Sequence, residues 1–229
     1  MTSPEIKTFF DKWNVSRWFK ATLSVAGFLI SVYLPAFAIA SGLGISISLQ
    51  IPLVIATTTA LASGWAFLLV RFGTFRIREF GLNRPHLRSL VFTAAIAIPI
   101  ALAIALLSQH ANESGPLAGL TLPPALLWLY FAIGAPIQEE WIFRGLLQAA
   151  ATRVLAGGDT PSAQAAIGGS VLVATVFGLV HLSVGPWTAA AALLLGLLAG
   201  EARRRSNSVL PAILIHSIFN IGGLLLALH

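Results

Sequence analysis

The chain has 229 residues, of which 57% are hydrophobic and 10% charged, with a mean hydropathy of +0.86. A soluble domain carries roughly 25% charged residues, so the composition excludes that class and reads as a polytopic membrane protein. The lack of cysteine excludes disulfides, thiolate catalysis and Cys-ligated zinc, and a net charge of +6 dispersed in short basic blocks between apolar runs excludes a nucleic-acid-binding stripe.

The N-terminal segment, residues 1–20, is amphipathic and mixed in charge. It lacks the short apolar core and small-residue cleavage site of a signal peptide, so the first span is expected to stay in the mature protein. Apolar stretches of spanning length follow near 21–40, 49–70, 90–107, 122–138, 164–183, 187–200 and 209–228. The expected fold is an all-α transmembrane bundle of seven to eight helices, forming one membrane domain over residues 1–229. Basic residues precede the first span (Lys7, Lys12, Arg17, Lys20) and recur at Arg71, Arg76, Arg78, Arg84 and Arg88, at Arg144 and Arg153, and at Arg203, Arg204 and Arg205. The alternate segments near 41–48, 108–121 and 184–186 have no Lys or Arg. This alternation predicts a cytoplasmic N-terminus in the cell (inner) membrane, and an odd span count would put His229 outside.

Residues 122–155 are too long for one ordinary span. Gly134 and Pro136 predict a break, a fresh helix over 137–156, a turn at Gly157–Ser162 and a further helix from about Gln164.

The new helix carries two adjacent acids, Glu139 and Glu140, in a chain with only 8 Asp plus Glu. An ionisable group in an apolar span costs several kcal/mol unless paired or wetted, so it usually marks function. Glu140 and Arg144 are four apart and share a face, in the acid-first order that favours an ion pair. Glu139 points roughly 100° away and lacks that partner, which suits a general base. If the helices on either side of the turn form an antiparallel hairpin about residue 160, Glu139 lies level with His181. A histidine in a span is otherwise explained by a hydrogen bond to nearby backbone. The last span carries His216 and Asn220, four apart on one face. They read either as helix–helix glue or as a donor pair for a developing oxyanion. A Glu with two His is also a known zinc set, so Glu139, His181 and His216 are the candidate ligands of a divalent metal, although the spacing is not HExxH.

Three motifs stand in order: EExxxR at Glu139–Arg144, FxxxH at Phe177–His181 and HxxxN at His216–Asn220. This pattern resembles the CAAX protease and bacteriocin-processing enzyme family of intramembrane endopeptidases, also called the ABI family. Its eukaryotic relative is the type II CAAX prenyl endopeptidase. The small residues and proline before the Glu pair, and Phe143-Arg144-Gly145, fit the same pattern. The resemblance covers about residues 120–225, the expected catalytic core.

The resemblance implies that Glu139 activates water with His181, that His216 and Asn220 form the oxyanion site, and that Glu140, Arg144 and Phe177 support the site or hold substrate. It implies a peptide or protein substrate met at the bilayer. A CAAX-type prenylated C-terminus is one option; a peptide-toxin leader or a membrane-protein segment is another. Two other classes compete: a transporter or proton relay, since intramembrane Glu and His also carry protons, and a non-catalytic scaffold or immunity protein on a protease fold. By helical rise, Glu139 and His181 lie roughly 30 Å from the turn at 160, but His216 lies only about 15 Å from the 203–205 loop. These depths agree if the hairpin projects into the cytoplasm or a helix is tilted or broken, and the site is expected to open towards the cytoplasmic leaflet.

Overall fold

The computed structural model describes residues 15–108, 122–158 and 161–227. Most of the expected N-terminal amphipathic segment (to residue 14), most of the Lys- and Arg-free loop near 108–121, and His229 lie outside the described residues.

Among the described residues, seven long helical runs overlap the seven expected apolar stretches: α1 Val15–Gly42, α2 Ile47–Arg71, α3 Leu87–Ser108, α4 over 124–156, α5 Ala163–Val180, α6 Pro186–Ser206 and α7 Leu210–Ala227. A short 3₁₀ turn, Ile77–Phe80, lies between α2 and α3. No strand occurs among the described residues, whose bridge between Leu82 and Ser208 is isolated. Helix satisfies every backbone polar group within the segment, which a bilayer demands. Four described helices are long and apolar enough to cross a membrane: Val15–Gly42, Ser48–Arg71, Leu87–Ser108 and Ala163–Ser183. Leu210–Leu225 is a shorter apolar helix. The outward faces of α1 to α3 expose Leu34, Phe67, Phe92 and Leu102, whose side chains suit lipid. The chain is therefore a helical integral membrane protein.

The expected break at Gly134–Pro136 does not occur. The chain stays helical from Pro124 to Ala156, through α segments Pro124–Leu127, Ala135–Glu140 and Gln148–Ala156 alternating with π segments Trp128–Gly134 and Trp141–Leu147. Gly134 and Ala135 both keep right-handed helical dihedrals. Widening to i→i+5 bonding is how this helix accommodates its proline instead of ending.

The hairpin of α4 and α5 has the register its sequence predicted. Phe143, four residues after Glu139, packs edge-on against Phe177, four before His181, at 4.8 Å between ring centroids. Gly157 ends α4 in a left-handed conformation (φ 68°), and Ser162 caps α5 by accepting the Ala165 N–H at 3.1 Å. Arg17 donates to the carbonyl of Ala156 at this turn, tying α1 to the hairpin tip. At the same end Arg203 donates to the Glu79 carbonyl at 2.7 Å, and Arg153 pairs with the Glu79 carboxylate at 3.5 Å.

Small residues set the helix spacing, as expected where lipid removes the usual hydrophobic drive between helices. A Cβ on Gly169 would stand 2.4 Å from Thr152 Oγ1 and 2.9 Å from its backbone nitrogen, so α4 and α5 touch through that glycine. Nothing lies within 4 Å of the same position at Gly64. Gly169→Leu is expected to destabilise the protein by about 2 kcal/mol or more through overpacking. Gly64→Ala should be neutral or slightly stabilising. Thermal unfolding in detergent checks both.

Candidate active site

The two acids sit on the short α segment between the π turns of α4, and the structure separates them sharply. Glu140 is fully buried; the Glu139 side chain keeps 23% of its surface exposed. Glu140 Oε1 accepts from Arg144 Nη1 at 2.9 Å, as the spacing predicted. The same oxygen also accepts from His216 Nδ1 at 2.8 Å, a link the sequence did not announce. Breaking a buried pair of this kind by removing one partner costs about 3–5 kcal/mol, because the other charge is left uncompensated. Arg144 is itself buried, with its guanidinium 4.5 Å from the centroid of the Phe177 ring. Gly196 of α6 makes room for it, since a Cβ there would stand 3.1 Å from Arg144 Nη2.

With Nδ1 committed to Glu140, His216 presents Nε2 to Glu139 Oε2, 4.0 Å away. That oxygen is buried and has no hydrogen-bond partner. His216 thus stands between the two acids, bonded to one and facing the other.

His181 caps the C-terminus of α5. A carbonyl oxygen only accepts, so the 2.7 Å contact between His181 Nδ1 and the Phe177 carbonyl fixes the proton on Nδ1. The neutral ring then keeps a free lone pair on Nε2. The Phe177 ring touches both imidazoles, at 4.7 Å from His181 and 5.8 Å from His216 between centroids. Phe177 therefore forms the shared wall of the site rather than a remote support.

Asn220 is anchored by a consequence of Pro136. In the first π segment the Ala135 N–H bonds to the Tyr130 carbonyl, five residues back. Continuing that ladder, the Phe131 carbonyl would take the N–H of residue 136, but proline has none. Asn220 Nδ2 donates to that carbonyl at 2.7 Å instead. One amide proton is thereby fixed and the second remains for another acceptor.

Among the described residues, no group of three or more His, Asp or Glu side chains gathers as metal ligands. The Nδ1 atoms of both histidines are engaged, with Glu140 and with the Phe177 carbonyl, which leaves Nε2 as the available donor on each ring. The candidate ligands Glu139, His181 and His216 thus form no three-donor cluster.

Residues 121–222 match the family model described as type II CAAX prenyl endopeptidase Rce1-like. Over that segment, a little under half of the chain, the sequence is similar to that family. The segment contains all three motifs, and the family is one of CAAX prenyl protease-like intramembrane endopeptidases. No curated protein and no solved structure matches the chain.

Sequence reasoning missed the Glu140–His216 bond and the anchoring of Asn220. The second had a signal: a proline one turn after a carbonyl deep in an apolar helix leaves that carbonyl needing a donor. Pro136→Ala would supply an N–H that competes for the Phe131 carbonyl. It is expected to loosen Asn220 and lower kcat by about tenfold with thermal stability kept. Cleavage assays alongside thermal unfolding check this, and unchanged kcat would reject the anchoring role.

Proposed function

We propose that the Rce1-like segment hydrolyses a peptide bond with water activated by Glu139. What carries this reading is the asymmetry of the acid pair: Glu140 is fully buried and its Oε1 is held by Arg144 and His216, while the Glu139 carboxylate is partly exposed, with Oε2 facing His216 Nε2 at 4.0 Å. The water sits between Glu139 and the free Nε2 of His181. It gives a proton to Glu139 as its oxygen attacks the peptide carbonyl carbon. The carbonyl π pair moves onto oxygen, where the second Asn220 N–H, with the His216 ring beside it, holds the negative charge. The intermediate collapses, the C–N bond breaks, and the proton on Glu139 passes to the leaving amine. No step passes through a metal. Glu140, Arg144 and Phe177 keep His216 in place rather than touching the reacting atoms.

The substrate class is a peptide whose cleavable bond reaches a membrane-embedded site, a prenylated CAAX-type C-terminus being the form the family suggests. Replacing Glu139 with Gln keeps its size but removes the base. Cleavage of a prenylated reporter peptide is expected to fall at least about 10³-fold with unchanged thermal unfolding. Retention of a tenth of the activity would overturn the assignment.

The basic end of the bundle, with Arg17, Arg153 and Arg203, is the cytoplasmic end in this reading, by the positive-inside rule. On α7, His216 lies only about 15 Å by helical rise from the 203–205 loop at that end, which supports a site opening to the cytoplasmic leaflet. A cysteine introduced at position 181 in this cysteine-free chain should react with an impermeant thiol reagent from the cytoplasmic side. Labelling from the outer face alone would reverse the orientation.

A further inference from the structure

A second polar chain crosses the apolar interior beside the acid pair. It joins Tyr33 of α1, Thr58 of α2 and Gln138 of α4, the residue immediately before Glu139. Thr58 and Gln138 are buried and Tyr33 is half-buried. Buried polar groups are retained when their hydrogen bonds are made, so the protons of this chain can be traced one by one. The Thr58 hydroxyl donates to the Val54 carbonyl at 2.7 Å. Gln138 Nε2 has two protons, and both are used: one goes to Thr58 Oγ1 at 2.9 Å and the other to Tyr33 Oη at 3.1 Å. Tyr33 is therefore an acceptor towards Gln138, and its own O–H proton is the one that the network leaves over.

An unused acceptor lies close by. Glu139 Oε2 is buried without a hydrogen-bond partner, and Glu139 directly follows Gln138, whose amide is bonded to the Tyr33 phenol. No direct hydrogen bond joins the two groups. We infer that Tyr33 is a positioning residue for the water that Glu139 activates, its O–H donating to the water oxygen. This inference rests on the assignment of Glu139 as the base.

The arrangement gives each of the four positions of the water a use. One proton goes to Glu139 and one to the free Nε2 of His181; one lone pair accepts from Tyr33 and the other faces the carbonyl carbon. Holding three of the four fixes the direction of attack. Gln138 acts through Tyr33 by occupying the phenol's lone pair, which turns the O–H towards the acid. Tyr33 stands on α1, outside the matched segment 121–222, so the family match does not reach it. The N-terminal helices then complete the site as well as enclosing it.

The test uses the full chain in detergent or liposomes with a prenylated reporter peptide. Tyr33→Phe removes only the leftover proton, while Thr58→Val disturbs the network and leaves that proton in place. Tyr33→Phe is expected to lower kcat by about tenfold, with KM and the thermal midpoint nearly unchanged. Thr58→Val should lower kcat less than about threefold, a smaller loss because the positioned donor survives. A Tyr33→Phe loss below about threefold overturns the inference, as does an equal loss in both variants that tracks thermal stability, since either makes the role structural. The Glu139→Gln enzyme separates the two claims. If it is inactive while Tyr33→Phe is fully active, only the Tyr33 assignment falls; if it is active, the base assignment falls.

Discussion

Most of the site depends on a single oxygen atom, Oε1 of Glu140, which accepts from Arg144 on its own helix and from His216 on α7. It lies in a fully buried place, where an unpaired carboxylate would cost several kcal/mol. The cost can be met only if both donors arrive, so Glu140 couples the packing of α7 to the register of α4. Arg144 in turn needs Gly196 on α6 and the face of Phe177 on α5. Four helices are thus bound to one ionic cluster. The cluster orients the His216 imidazole, and the orientation leaves Nε2 facing Glu139. Of the two acids Glu140 is the more buried and the better bonded, and Glu139 is the one left partly exposed.

A second constraint is the demand that backbone groups in a membrane be satisfied within the protein. Pro136 violates it locally, and the helix responds by widening on the N-terminal side. π segments are frequent at functional sites because they shift the phase of the residues that follow. Here Trp128–Gly134 precedes the acids and Trp141–Leu147 follows them, so Ala135–Glu140 is a short α segment whose facing is set by two irregular neighbours. The orphaned carbonyl of Phe131 then becomes the socket for Asn220. A backbone defect on α4 and a side chain on α7 satisfy one another, and the Asn220 amide is held by the same bond that repairs the helix.

Much of this could be read in the sequence, for local reasons. The seven apolar stretches mark the helices because length and hydropathy are properties of a window. The Glu140–Arg144 pair follows from i,i+4 spacing, and the hairpin register from the Gly157–Ser162 turn; Phe143 against Phe177 realises it. What could not be read depends on helices that are distant in sequence. Nothing local announces that His216 Nδ1 will select Glu140, 76 residues away, rather than its neighbour. The break expected at Gly134–Pro136 was a reading by propensity, and tertiary packing overrode it. Tyr33 gave even less warning, because a tyrosine in an apolar span is unremarkable until its partner Gln138 is seen 105 residues further on.

These distant contacts explain why the two acids can be adjacent and still act differently. Neighbouring positions on a helix point about 100° apart, so Glu139 and Glu140 face different sets of helices. Glu140 turns to the side where Arg144 and His216 converge. Glu139 turns to a space bordered by His216 on one side and, through Gln138, by Tyr33 of α1. Had both acids met full sets of donors, neither would have an oxygen left for water. Had neither, two buried charges would repel within one turn of helix. The observed division gives both strong donors to one oxygen of Glu140 and leaves Glu139 partly exposed, so the ion pair that stabilises the bundle also keeps those donors away from the neighbouring acid.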